Sequence, residues 1–423
     1  MKGKFNLQKL QSKRNLSWIQ LVGLYIFPLL SFYGYKYVGL NLSVIKGLYF
    51  IAVPLVFLYV RHLIFTNNKY NPYYWGMVGI TISTVASILM AYLFWNQSIA
   101  LGYRSTAPLL AIVYYFYLLR TRPSKKNIEL LIWVFTGIYI LLWLYGMSKV
   151  PQIVFGDSEN ELSDSRGLFR LSLPGKGFIV LAFFLCLSKF SVTKEKKFIA
   201  LSIGLFIIII MHVIRQVIIL SFLIGLYFLL RKNKRLWIYL GIAAVFMFYF
   251  NNVQVSDDSV IGKLLALSQN QLEEQSQGDE NVRILEYKFF FSDFSKNLIT
   301  DIFGNGYPHD DSTYGKYNQN IAQARHKFFL SDVGYAQVFV VNGLLGLLLY
   351  FLIFTKVIKL KTSDSVVYAK LFIIYQFFAN VTAAWYMHDI ICICICIYIL
   401  SAEKISTKIN RRRNEIFYSN TRV

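Results

Sequence analysis

Charge is scarce in this chain: only 16% of its 423 residues are Asp, Glu, Lys or Arg, against about 25% in an ordinary soluble domain. That shortage excludes a soluble enzyme with polar-surfaced domains, and an apolar content of 56% excludes a disordered chain. Cysteine is scarce too. Cys186, Cys392, Cys394 and Cys396 all stand in apolar segments, which excludes a disulfide scaffold and offers no zinc spacing. The five histidines make no metal pattern, so no metal and no cofactor is expected. There is no DxD motif in a cytoplasmic domain and no glycine loop to cradle phosphates, so neither a nucleotide-sugar transferase nor an ATPase is indicated. No internal repeat is visible, unlike many transporters. Nor do short segments alternate in polarity, as barrel strands do.

What is present is a series of apolar runs of about 20 residues, the length that spans a bilayer as a helix, broken by basic clusters. The expectation is an all-α polytopic membrane protein forming one integral domain over 1–423. Twelve spans are read near 17–34, 43–60, 74–95, 100–119, 128–147, 177–190, 198–211, 215–230, 236–250, 333–355, 366–386 and 389–400. The stretch 198–230 is read as two short spans with an apex at 211–216, because basic clusters flank it on both sides. A single crossing would put those clusters on opposite faces, against the positive-inside rule. His212 and Arg215 then sit at the outer apex. With twelve spans, the tails 1–16 and 401–423 are cytoplasmic. The net charge of +22 then reflects basic inner loops, not nucleic-acid binding. Lys46 and Lys370 fall within spans and can snorkel.

Two outer loops are long, 148–176 and 251–332, the second lying between the ninth and tenth spans. In its patterned half, VRILEYKFFFSDFSKNLITDIFGNGYP, Ile284, Leu285, Phe289 and Phe290 can share one helical face. Gly304, Gly306 and Pro308 mark a turn. The expectation is an amphipathic helix lying on the outer membrane surface and capping a cavity. The aromatic residues are expected to face lipid and the interface, with Tyr307 and Tyr335 among those able to stack on sugars.

The outer side also gathers positive residues: Arg166 and Arg170 before the sixth span, Arg215 at the apex, Arg283 in the large loop, and Arg325 with His326 before the tenth span. Arginine grips two phosphate oxygens through its planar fork. Arg166, Arg170, Arg215 and Arg283 would together suit a diphosphate at headgroup depth, and Arg325 could meet a sugar. Arg215 stands out, because it interrupts IIIIMHVIRQVIIL, where a charge is costly unless it serves a site or reaches the interface. His309 reads as a loop residue, and His388-Asp389 at a short outer turn is a lesser candidate.

Four segments, in order, resemble the O-antigen polymerase and ligase superfamily of bacterial surface-polysaccharide assembly. They are SRGLFRLSLPGKGFIVLAFF, IIIIMHVIRQVIILSFLIGL, VRILEYKFFFSDFSKNLITDIFGNGYP and RHKFFLSDVGYAQVFVVNGLLGLLLYF, within residues 148–355. Where that family often carries His-Asn, this chain has His326-Lys327, which draws attention to Asp332. The resemblance implies a metal-independent glycosyltransferase of the bacterial cytoplasmic membrane, acting on its outer face. It would join undecaprenyl-diphosphate-linked oligosaccharides into O-antigen, capsule or exopolysaccharide. A chain-length regulator and a flippase would be its partners besides the bilayer. The acceptor hydroxyl needs a base; His326 is the first candidate and Asp332 the second, and otherwise the proton leaves late to water. The alternatives are a ligase passing lipid-linked glycan to another acceptor, and a flippase or transporter.

Overall fold

The computed structural model describes residues 16–65, 71–150, 152–156, 171, 173–212, 214–232 and 282–420. Arg166, Arg170, the span near 236–250 and the first part of the large loop lie outside them. In chain order the helices are α1 (Trp18–Ser31), α2 (Leu42–Ile64), α3 (Tyr74–Trp95), α4 (Ile99–Leu110), α5 (Val113–Thr121), α6 (Lys125–Ser148), α7 (Gly177–Thr193) and α8 (Lys196–Met211). There follow α9 (Arg215–Lys232), α10 (Val282–Lys288), α11 (Leu298–Phe303), α12 (Thr313–Tyr317), α13 (Gly334–Lys359), α14 (Val367–Ala379), α15 (Trp385–His388) and α16 (Ile390–Asn420). Among the described residues there is no strand. α2, α3, α6 and α13 are each long and apolar enough to cross a membrane, and α1, α7 and α14 are shorter apolar helices. The chain is an all-α membrane protein.

Polar residues set the helix ends. Asn41 accepts from the Ser43 and Val44 N–H groups at the start of α2, and Ser124 accepts from Asn127 at the start of α6. Asn96, Arg122 and Lys194 take left-handed conformations that stop α3, α5 and α7. The stretch 198–230 forms two helices, α8 and α9, packed against each other.

Prolines break the ladder inside three helices, and in two of them a tyrosine repairs it. A proline lacks the N–H that would pair four residues back. Pro28 so frees the Leu24 carbonyl, which accepts from the Tyr114 hydroxyl at 2.8 Å, and Pro54 frees that of Phe50, which accepts from Tyr103 at 2.6 Å. Where the 100–119 span divides into α4 and α5, the Ala107 carbonyl accepts from Tyr49 at 2.9 Å. Tyr49, Tyr114, Tyr115, Tyr139, Tyr368 and Tyr375 are fully buried. Part of the tyrosine content therefore serves as internal donors, while aromatics such as Trp18, Trp75, Tyr92 and Tyr227 stay exposed on the outside of the bundle.

α13 is broken at Gly343, whose φ of 70° is open to glycine at no steric cost. The break frees the carbonyls of Val340 and Val341. The chain after α11 enters the gap: the Asn305 N–H donates to Val340 at 2.7 Å and the Gly306 N–H to Val341 at 3.2 Å. Asn342 is tied to α3 through the Thr84 hydroxyl at 2.9 Å. Irregular backbone inside an apolar bundle persists only where protein groups satisfy it, and here they do. The α11 segment packs against α13 and α3 on one side, while Leu298, Ile299, Ile302 and Phe303 are exposed on the other. The amphipathic reading holds for Phe289 and Phe290, which are buried, but Ile284 is 65% exposed and Glu286 takes its place on the buried face. The span read at 366–386 stops at Ala379, and 380–389 is a turn that carries the short α15.

Two ends are defined by bonds between connectors. The lower end joins Lys356 to the Pro72 carbonyl, Lys189 to Glu129, Tyr398 to the Pro123 carbonyl and Ser363 to Glu403. The upper end joins 32–41, 96–98, the α8–α9 link, 282–333 and 380–389.

Candidate functional site

The 380–389 turn is the hub of the upper end. The Ala384 N–H donates to Ser331 O at 2.8 Å, and the Tyr386 N–H to the Asn380 side chain at 2.9 Å. From α10 the Tyr287 hydroxyl donates to Val381 O at 2.7 Å. From α9 the Gln216 amide donates to Ala379 O at 2.7 Å, so Arg215, the first residue of α9, begins its helix beside this turn. At the far end of the turn Asp389, 3% exposed, accepts from the Gly177 N–H at 3.1 Å and from the Gln376 amide. A helix N-terminus favours such a carboxylate. Burial raises the Asp389 carboxyl, while Lys176, Gln376 and Gly177 oppose the rise.

His388, beside Asp389 at the end of the turn, has an exposed side chain. Burial, with the ammonium groups of Lys176 and Lys36 beside it, pushes its imidazole down to about 4, so it is neutral at pH 7. Lys36 closes a run of four residues with positive φ, Tyr33 (50°), Gly34 (60°), Tyr35 (59°) and Lys36 (52°). For non-glycine residues this costs about 1–2 kcal/mol each. Strain of this kind persists where the surroundings impose it and clusters at functional sites. Here the Lys36 carbonyl accepts from the Gly156 N–H at 3.3 Å and the Val38 N–H donates to Val154 at 3.0 Å.

On the other side of the turn stands Glu286. Its side chain is 2% exposed; one carboxylate oxygen accepts from the Phe329 N–H at 3.0 Å and the other is buried without a hydrogen-bond partner. Burial raises its carboxyl above the usual range; the Phe329 N–H draws it back, the Asp332 charge adds to the rise and Arg283 opposes it. Arg283, Glu286 and Asp332 therefore share one neighbourhood.

The chain matches no protein-family model and no curated protein.

The residues named from sequence fare differently. Arg215, Arg283 and Asp332 come to the elements around one turn, while Arg166 and Arg170 lie outside the described residues. His326 and Arg325 are exposed, and the His326 ring lies 5.3 Å from Phe289 and 5.4 Å from Phe328, close to the Glu286 group. Tyr307 is half-buried near Tyr386, its carbonyl held by Gln97 and Ser105. Tyr335 is a packing residue instead of a sugar platform: its ring stacks on Phe351 at 5.0 Å and its hydroxyl donates to Phe377 O at 2.6 Å. His212 caps α8 at the apex between α8 and α9, but its side chain is 4% exposed, stacked on Trp143 and bonded to Tyr139 and Ile208 O, so it faces the interior instead of water. Among the described residues no three His, Cys, Asp or Glu side chains are grouped to hold a metal. Sequence reasoning passed over Glu286, Lys36 and Lys176. The acid was detectable as a charge three and four residues before Phe289 and Phe290, on the face those rings bury.

Glu286 makes a prediction about pH. Glu286→Gln keeps an acceptor for the Phe329 N–H and removes the buried charge. A carboxyl raised in the fold favours folding most below its ordinary value of 4.5, and that contribution fades as pH rises through the raised value. The melting temperature of the wild type should fall relative to Glu286→Gln as pH climbs above 4.5. A constant difference across that range would mean the carboxylate is solvated.

Proposed function

We propose that the protein is a membrane glycosyltransferase that polymerises undecaprenyl-diphosphate-linked repeat units into a surface polysaccharide, as its resemblance to the O-antigen polymerase superfamily implies. The reading takes twelve spans, with both termini in the cytoplasm and the upper end on the outer face of the bacterial cytoplasmic membrane. The observation that carries it is the grouping of the Arg215 and Arg283 helices with the acids Glu286 and Asp332 around a single turn, at one end of an apolar bundle. Arginines suit a diphosphate, and an acid nearby suits an acceptor hydroxyl.

In the reaction, the acceptor hydroxyl oxygen forms a bond to the anomeric carbon. The bond from that carbon to the diphosphate oxygen breaks, and the electron pair leaves with undecaprenyl diphosphate. Guanidinium groups already in place stabilise the growing negative charge without a metal ion. The hydroxyl proton passes to a base. Asp332 is the better placed of the two candidates, being exposed beside Arg283 and Glu286, while the His326 ring rests against Phe289 and Phe328.

Deleting the gene tests the reading against its neighbours. A polymerase leaves single repeat units on the surface, a ligase leaves polymer held on lipid, and a flippase leaves units on the inner side. The topology is tested by cysteine labelling, with low background because the four native cysteines are buried. A cysteine at Ser276 should react in intact cells and one at Ser406 only after lysis. The reverse pattern overturns the orientation.

A further inference from the structure

The lower end holds a second feature that the proposed reaction does not use. A cavity of about 580 Å³ opens between α9, α13 and α14, within the size range of ligand sites. Arg231, Lys359, Lys361 and Lys370 line it against one carboxylate, Asp364. Basic residues at this end are expected of any inner face, but convergence on one concave space is not. The Lys370 ammonium donates to Leu360 O at 2.7 Å, and Arg231 is near enough to repel it. An anion in the cavity would relieve that repulsion.

The apolar surroundings indicate what kind of anion. Phe228 and Leu371 form buried walls at 4% and 5% exposure. On the outward face of α9, Ile219, Leu223 and Tyr227 are 54%, 52% and 62% exposed. They are spaced four apart, so they form one stripe, and the next residue in the series is Arg231. An apolar track that ends at a guanidinium matches a molecule with a hydrocarbon chain and a phosphate. A soluble phosphate would use only the cations. Basic pockets between membrane helices on the cytoplasmic side bind acidic lipid headgroups by this chemistry.

We propose that this cavity binds the phosphate of an anionic phospholipid, with an acyl chain lying along the α9 stripe. The site is separate from the upper end and stands whether or not the reaction assigned there is right.

The full chain, reconstituted with equal phosphatidylglycerol and phosphatidylcholine and then partly delipidated, should retain phosphatidylglycerol, as read by native mass spectrometry. Arg231→Gln and Lys361→Gln alter exposed residues, so both variants should fold. Each should lower phosphatidylglycerol retention about fivefold. Lys404→Gln, at the same end but outside the cavity, should leave retention unchanged. Equal retention of the two lipids, or variants that match the wild type, would overturn the proposal. Displacement of the lipid by millimolar inorganic phosphate would make the cavity a plain anion site and overturn the lipid assignment.

Discussion

Replacing Arg215 with alanine should abolish polymer while the protein still inserts and accumulates normally. The residue interrupts an apolar run, and an arginine at the centre of a membrane helix costs about 2.5–3.5 kcal/mol on insertion scales. Its place at the first position of α9, beside the Gln216 contact to Ala379, lowers that cost. In the proposed reaction this guanidinium grips the diphosphate. Arg215→Lys keeps the charge and loses the planar fork. Losing a charge-assisted pair costs a few kcal/mol, or roughly 100-fold in rate, so the lysine variant should be strongly impaired as well. Lys126→Ala, on the exposed lower end of α6, should polymerise normally. The measurement is polymer length at matched membrane expression. Normal polymer from Arg215→Ala would make this arginine a membrane anchor.

Gly177→Ala should be nearly as damaging, for a steric reason. A methyl group there would lie 2.3 Å from the Asp389 carboxylate oxygen and 2.5 Å from its carbon. Asp389 has no room to retreat, because it is 3% exposed and bonded to the Gly177 N–H and the Gln376 amide. Leaving a buried charged group without its donors costs more than the ~1–3 kcal/mol of a neutral one. The variant should lose about 3 kcal/mol or more of stability and release the 380–389 turn from α7. Adding Asp389→Ser should restore thermal stability by making room, without restoring polymer. If the single variant melts like the wild type, the turn is not clamped where we describe it.

The long apolar helices could be read from sequence because lipid-length runs between basic clusters leave few alternatives. α2, α3, α6 and the start of α13 fall where the apolar runs are, and the His212 region divides α8 from α9 as the flanking lysines and arginines require. The break in α13 was hidden. Its local sign is Asn342-Gly343 inside a 26-residue helix, and what stabilises it, the backbone of Asn305 and Gly306, comes from a distant segment. For the same reason the contacts of the α11 segment with α13 and α3 were hidden, while its Leu298, Ile299, Ile302 and Phe303 remain exposed. In the candidate site, Arg215 was conspicuous because a guanidinium in an apolar run is costly. Glu286 was not, and Asp389 was only a lesser candidate, because burial and the donors that hold them are properties of the fold. Tyr335 shows the converse error, an aromatic at the right end of a span that turns out to be packed against Phe351 and Phe377.

The central claim is that the upper end moves glycan from one polyprenyl diphosphate to another. The most direct measurement gives purified protein lipid-linked repeat units in the presence of excess chelator, and follows both glycan length and free undecaprenyl diphosphate. The account predicts a ladder of products, with one undecaprenyl diphosphate released for every repeat added. Unchanged single repeats, or a ladder that appears only when magnesium or manganese is restored, would contradict it.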